Sequence, residues 1–136
     1  MDRWLTFDCY GTIADWNACM SGALAGNLTL LTEYHRAELV LEAGPYRPYR
    51  HVLPEGLRRA AAVSGIRIPA GDNAAFVRAW PGMPVFDDVA EALSVLAADG
   101  WKLAILTNCD DDLFATTASR LPVHVDLVET AEQVRG

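Results

Sequence analysis

The run Trp4-Leu5-Thr6-Phe7-Asp8-Cys9-Tyr10-Gly11-Thr12 decides how the rest of the chain is read. Residues Trp4 to Phe7 are apolar-rich and too few for a helix, and they end in a carboxylate and a turn sequence. The expectation is a buried strand running into a turn. A carboxylate placed directly after a buried strand loses hydration unless something pairs with it. Asp8 is therefore either a residue that caps the turn or part of a site.

A second unit of the same kind spans Asp87 to Asn108. Asp87 or Asp88 can cap a helix in which Val89, Ala92, Leu93, Leu96 and Ala97 share one face, and Gly100 stands where a C-terminal cap needs positive φ. Trp101 to Leu106 then reads as an apolar strand with a polar tip at Thr107 and Asn108. Helix, glycine, strand and polar tip make half of a βαβ unit, which predicts an α/β fold with a Rossmann-like parallel sheet. Ligands of such sheets sit outside the carboxyl ends of the strands, where Asp8, Thr107 and Asn108 fall.

The segment between these units looks different. Residues 15–83 contain no convincing strand and are rich in Ala, Leu and Arg, with helical patches at 33–43, 54–64 and 72–80. Pro54 suits a first helical turn, Gly65 suits a C-terminal cap, and Trp80-Pro-Gly-Met-Pro84 is a breaker. The predicted organisation is an α/β core formed by 1–14 and 84–136, incomplete at its C-terminus, with a helical cap of residues 15–83 inserted after the first strand. Beyond Asn108, Asp110 to Asp112 begin a helix through about Arg120, and Val123 to Val128 are the expected third strand. Three acids there suit a helix N-terminus better than a metal site.

Composition narrows the function classes. The chain has 136 residues, 51% hydrophobic and 21% charged, which fits one globular domain or one domain carrying an insertion. Eleven Lys and Arg against 18 Asp and Glu give a net charge of -7, the wrong sign for a nucleic acid or an anionic membrane as partner. Cys9, Cys19 and Cys109 are odd in number and lack C-x-x-C spacing, so neither a disulfide framework nor a zinc site is expected, and the expected compartment is the cytoplasm. The N-terminus lacks a signal-peptide pattern, and polar residues interrupt the charge-free stretch Trp16 to Thr32, so no membrane span is expected.

The run from Trp4 to Trp16 resembles the first motif of the haloacid dehalogenase-like superfamily, in the FDxYGT form of its 2-haloacid dehalogenase branch. Leu103-Ala-Ile-Leu-Thr107-Asn108 resembles the second motif, and Thr130 to Gly136 resembles the approach to the third. The resemblance implies a hydrolase acting on a small 2-haloalkanoic acid. Asp8 would be the nucleophile that displaces halide and forms an ester, Gly11 would let the backbone turn around the site, and Thr12 would orient the carboxylate. Thr107 and Asn108 would donate to the substrate carboxylate and the leaving halide; Thr107 stands where this branch more often has Ser.

Tyr10 is counted with the substrate-binding residues. It stands where phosphatases of the superfamily have a second Asp, and a phenol neither ligates magnesium well nor protonates an alkoxide at neutral pH. No metal or other cofactor is therefore expected; a magnesium-dependent small-molecule phosphatase is the alternative. The stretch Glu33-Tyr-His-Arg36-Ala-Glu38 resembles the cap helix in which dehalogenases place an arginine over the nucleophile. Arg36 is assigned that role, with an exposed pair to Glu33 or Glu38 as the competing reading and Arg47 and Arg50 next in line. Trp16 is read as packing at the cap hinge, and His35, His51 and His124 as surface or cap residues. Lys102, the one lysine, lies at the entrance of its strand, away from Asp8.

In related chains a lysine of the third motif and an acidic fourth motif lie beyond the position matching Gly136. The expectation is therefore a chain that releases at most about one halide per molecule and self-associates as a homodimer or larger species through an open sheet edge. A catalytically dead self-associating fragment is the remaining alternative.

Overall fold

The computed structural model describes residues 1–69 and 72–135. Three parallel strands form one sheet in the order β1-β2-β3, with β1 at Arg3–Phe7, β2 at Trp101–Thr107 and β3 at Leu127–Thr130. The register pairs Leu5 with Leu103, Phe7 with Ile105 and Thr107 with Thr130. Parallel strands held in this register end at the same edge of the sheet, so the backbone alone places Asp8 beside the Thr107 and Asn108 tip.

Alternation along the strands gives the sheet two unlike faces. Leu103 and Ile105 are buried and belong, with Leu5, Phe7 and Val128, to one core that includes Leu93 of α5 (Val89–Ala98) and Leu113 and Phe114 of α6 (Asp111–Ala118). The other face leaves Trp4, Leu106 and Leu127 nearly half exposed. Gly100 closes α5 at φ +87, as its position predicts, and Lys102 at the far end of β2 lies 3.1 Å from Asp2.

Among the described residues, four helices lie between β1 and α5: α1 (Trp16–Ala23), α2 (Leu28–Ala43), α3 (Tyr49–Ser64) and α4 (Ala75–Ala79), followed by a 3-10 turn at Trp80–Gly82. The two ends of this segment are tied together, because Asp15 N donates to Pro84 O at 2.8 Å and Phe86 N to Ile13 O at 3.0 Å. Its interior is aromatic: Tyr34 stacks on Trp16 at 5.6 Å and meets the Phe76 ring edge-on at 4.8 Å. Helices α2 and α3 approach closely at Gly56, where an added Cβ would stand 2.7 Å from Cε2 of Tyr34. Among the described residues no helix is long and apolar enough to cross a membrane.

Three local expectations change. The stretch read only as charge-free and interrupted contains α1, whose amide at Ala18 is capped by Asp15 Oδ1 at 3.1 Å. Helix α3 starts at Tyr49 rather than Pro54, so Pro54 lies inside it and the helix runs through with one donor missing. Its start is fixed from elsewhere in the chain: the buried Asp110 carboxylate accepts from Tyr49 N at 2.6 Å and Arg50 N at 2.8 Å. The third strand covers Leu127–Thr130 instead of 123–128. Asp126 takes both polar groups of Leu103, accepting its N–H through Oδ2 at 2.9 Å and donating to its O at 2.8 Å, and the regular ladder begins only after it.

Candidate active site

The turn after β1 is built around one carbonyl. Cys9 O accepts from the amides of Thr12, Ile13 and Ala14 at 2.7–3.2 Å, and Gly11 takes φ +88, a conformation that a side chain would strain. Asp8 is left exposed at the strand tip, its Oδ1 accepting from Cys9 N at 2.9 Å. The carboxylate is thus oriented by a backbone amide. Thr12, expected to orient it through its hydroxyl, is exposed and does not border the cleft beside Asp8, because the turn that donates its amide to Cys9 carries its side chain outward.

Tyr10 reaches the cleft wall, but its hydroxyl is engaged, lying 2.8 Å from Thr117 Oγ1, and its ring packs at 4.6 Å from that of Trp80. Burial pushes its phenol far above the ordinary range, so it stays protonated. The two thiols near Asp8 are also quiet. Burial, reinforced by Asp8, pushes Cys9 up to about 12, and burial does the same for Cys109. On β2, Thr107 is buried and its Oγ1 accepts from Cys109 N at 3.3 Å, while Asn108 is exposed at the tip.

These strand tips form one side of a cleft of about 230 Å³. The other side comes from the helices: Trp16 and Asn17 from α1, His35, Glu38 and Glu42 from α2, and Tyr49 from α3. The structure therefore brings Asp8, Tyr10, Thr107 and Asn108 together as expected. It does not bring Arg36 with them. Arg36 is 72% exposed and pairs with Glu33 at 2.6 Å, and no Lys or Arg borders the cleft among the described residues. Arg50 pairs with Asp112, and Arg47 borders a neighbouring hollow.

Helix geometry explains the exchange. Leu30, Leu31, Tyr34 and Leu41 form the buried stripe of α2. At about 100° per residue, Glu38 falls within that stripe between Tyr34 and Leu31, Glu42 and His35 lie on its Leu31 flank, and Arg36 falls about 200° from Tyr34. The stripe was legible in the sequence; extended past Leu31 on one side to Glu42 and His35, it takes in the cleft residues and leaves out Arg36.

The charges of this wall are arranged in a set pattern. Glu38 Oε2 accepts from the hydroxyls of Tyr34 at 2.7 Å and Tyr49 at 2.6 Å, so its carboxylate is held between two buried phenols. Glu42, toward solvent on the same face, is raised to about 7 by lost hydration and by Glu38 one turn away. The His35 ring packs against that of Trp16 at 5.1 Å, tilted by 43°, with Nε2 lying 3.3 Å from Asn17 Oδ1. Trp16, only 6% exposed, buries its indole Nε1–H without an acceptor among the described residues. Such a donor costs about 1–3 kcal/mol unless a ligand meets it.

The loop after Asn108 fastens the two sides together. Asp110 caps α3, Asp112 pairs with Arg50, and Asp111 accepts from Thr130 Oγ1 at 2.7 Å and Gln133 Nε2 at 2.9 Å. The acid triplet thus serves three contacts, of which the helix N-terminus expected from sequence is only part.

No protein-family model matches the chain, and no curated protein matches it by sequence. Solved structures do match. The L-2-haloacid dehalogenase from Xanthobacter autotrophicus with chloropropionic acid covalently bound superposes over 99% of this chain and 59% of its own, with TM-score 0.77 and 20% identity. The L-2-haloacid dehalogenase RSc1362 gives a TM-score of 0.82 at 23% identity, over 98% of this chain and 66% of its own. A HAD-hydrolase, YfnB from Bacillus subtilis bound to magnesium, gives 0.75 at 17% identity, over 97% and 66%. The chain spans about three fifths of the length of the first of these and has the α/β fold of the haloacid dehalogenase-like hydrolases.

Proposed function

We propose that the chain is a hydrolase that uses Asp8 as a covalent nucleophile, of the 2-haloacid dehalogenase type. The observation that carries the reading is the strand-tip arrangement: an exposed carboxylate oriented by the Cys9 amide, beside Asn108 on the adjacent parallel strand, under a wall of helices. In the first step an Asp8 oxygen forms a bond to the carbon bearing the halogen, and the carbon–halogen bond breaks with its electron pair leaving as halide. Water then attacks the ester at the Asp8 carbonyl carbon. The products are the 2-hydroxy acid, a proton and the restored carboxylate.

Tyr10 favours displacement at carbon over phosphoryl transfer. A phosphatase needs a second acid two residues after the nucleophile, and the phenol there is protonated and tied to Thr117. The neutral thiols of Cys9 and Cys109 leave Asp8 as the reactive group of the tip. The test is halide release from 2-chloropropionate beside p-nitrophenyl phosphate cleavage, each with EDTA and with magnesium. Halide release that persists in EDTA supports the proposal. Faster cleavage of the phosphate ester, strictly dependent on magnesium, moves the assignment to the phosphatase alternative.

A further inference from the structure

The cleft presents a puzzle for any anionic substrate. Three carboxylates border it, those of Asp8, Glu38 and Glu42, and no Lys or Arg does among the described residues. Displacement of halide from a haloacid nevertheless produces negative charge on the leaving atom and begins with a carboxylate on the substrate. Some donor must meet that charge.

Two groups at the corner of α1 and α2 are free to do so. The Trp16 indole N–H is buried without an acceptor among the described residues, on a ring that borders the cleft. The His35 imidazole packs against that ring at a tilt of 43°; with Nε2 directed to Asn17, its Nδ1 has no hydrogen-bond partner among the described residues. We infer that Trp16 and His35 form a pH-dependent site for a small monovalent anion, taking either the substrate carboxylate or the departing halide. The inference rests on the proposed Asp8 chemistry for its role, but the site itself is independent of any reaction.

The charged surroundings set the sign of the pH dependence. From α2 itself, Glu38 and Glu42 face the same cleft; from the β1 turn come Asp8 and Tyr10, from α3 Tyr49, and from the β2 tip Cys109. Glu38 is held by two tyrosine hydroxyls, while Glu42 gains its charge only near pH 7. Lower pH neutralises Glu42, which removes an opposing charge from the cleft and favours an anion, and higher pH restores that charge. Arg47, which shares a neighbouring hollow with Glu42, does not border the cleft.

The test measures bromide binding by bromine NMR line broadening, and KM for 2-chloropropionate against its uncharged amide, at pH 6 and pH 8. Bromide and the anionic substrate should each bind about tenfold or more tightly at pH 6, and the amide should show no such change. His35→Gln should weaken bromide binding at pH 6 by about tenfold, and Trp16→Phe by a similar factor, while Arg36→Ala leaves it unchanged. A pH effect on acid but not bromide assigns the corner to the substrate carboxylate; the reverse assigns it to the halide. Wild-type bromide affinity in His35→Gln overturns the inference, even if Trp16→Phe fails to fold. Bromide held by His35 in a protein that never esterifies Asp8 instead overturns the proposed reaction and leaves the site standing.

Discussion

The two sides of the cleft are built on different principles. The strand side follows from hydrogen-bond register: once β1 and β2 pair in parallel with Phe7 opposite Ile105, Asp8 and Asn108 must emerge at the same edge. The helix side follows from rotation about an axis, where a shift of one residue turns a side chain by about 100°. His35 and Arg36 are neighbours in sequence; one borders the cleft and the other is mostly in solvent, paired with Glu33. Site chemistry carried by strand tips is therefore robust to an error in reading, and chemistry carried by a helix face is not.

The comparison is most severely strained at the join between the two sides. Asp110 is buried and accepts the first two amides of α3, so Asp110→Ala removes a helix cap and strands two donors. The expected loss is about 2–3 kcal/mol of unfolding free energy, read from urea denaturation. A loss below about 0.5 kcal/mol, the range of ordinary surface substitutions, would mean that the helix side is held without this clasp.

Within the helix side, Tyr49→Phe deletes one of the two donors to Glu38. The expected cost is about 1.5 kcal/mol, the scale of a hydrogen bond to a charged group. An unchanged denaturation midpoint would show that Glu38 is not fixed by the tyrosine pair. Gly56→Ala sharpens the same point. Alanine gains about 1 kcal/mol in helix propensity, but the new methyl group meets the buried Tyr34 ring at 2.7 Å, and overpacking of that kind costs about 1–3 kcal/mol. The net expectation is a destabilisation of about 1 kcal/mol; a stabilised variant would place α2 and α3 farther apart than described.

The smallest effect belongs to the residue that the sequence favoured. Arg36→Ala removes an exposed ion pair, worth less than about 0.5 kcal/mol, and should leave halide release unchanged within a factor of two or so. A tenfold loss of activity would return Arg36 to the cleft.

What was legible in the sequence divides along the same line. Local signals found β1, β2, α5, the caps at Gly65 and Gly100 and the four residues Asp8, Tyr10, Thr107 and Asn108, because apolar runs, glycines and polar tips act over a few neighbouring positions. The start of α3 was hidden because its cap, Asp110, lies some 60 residues away. The third strand was misplaced because Val123 and Val125 pack against the core from a loop, while Glu129 breaks the apolar pattern of β3. Thr12 was assigned by motif position, and the turn around Cys9 O turns it outward. His35 was passed over because no partner spacing marked it; its partners, Trp16 and Asn17, belong to another helix.

The claim on which the rest depends is that Asp8 is the nucleophile, and peptide mapping after reaction with excess 2-chloropropionate tests it most directly. The account predicts an ester on the Asp8 side chain, found in the peptide containing Phe7-Asp8-Cys9, and its absence in Asp8→Asn, since an amide is a far weaker nucleophile. An adduct on the Cys9 sulfur that survives in Asp8→Asn would be simple thiol alkylation and would contradict the account.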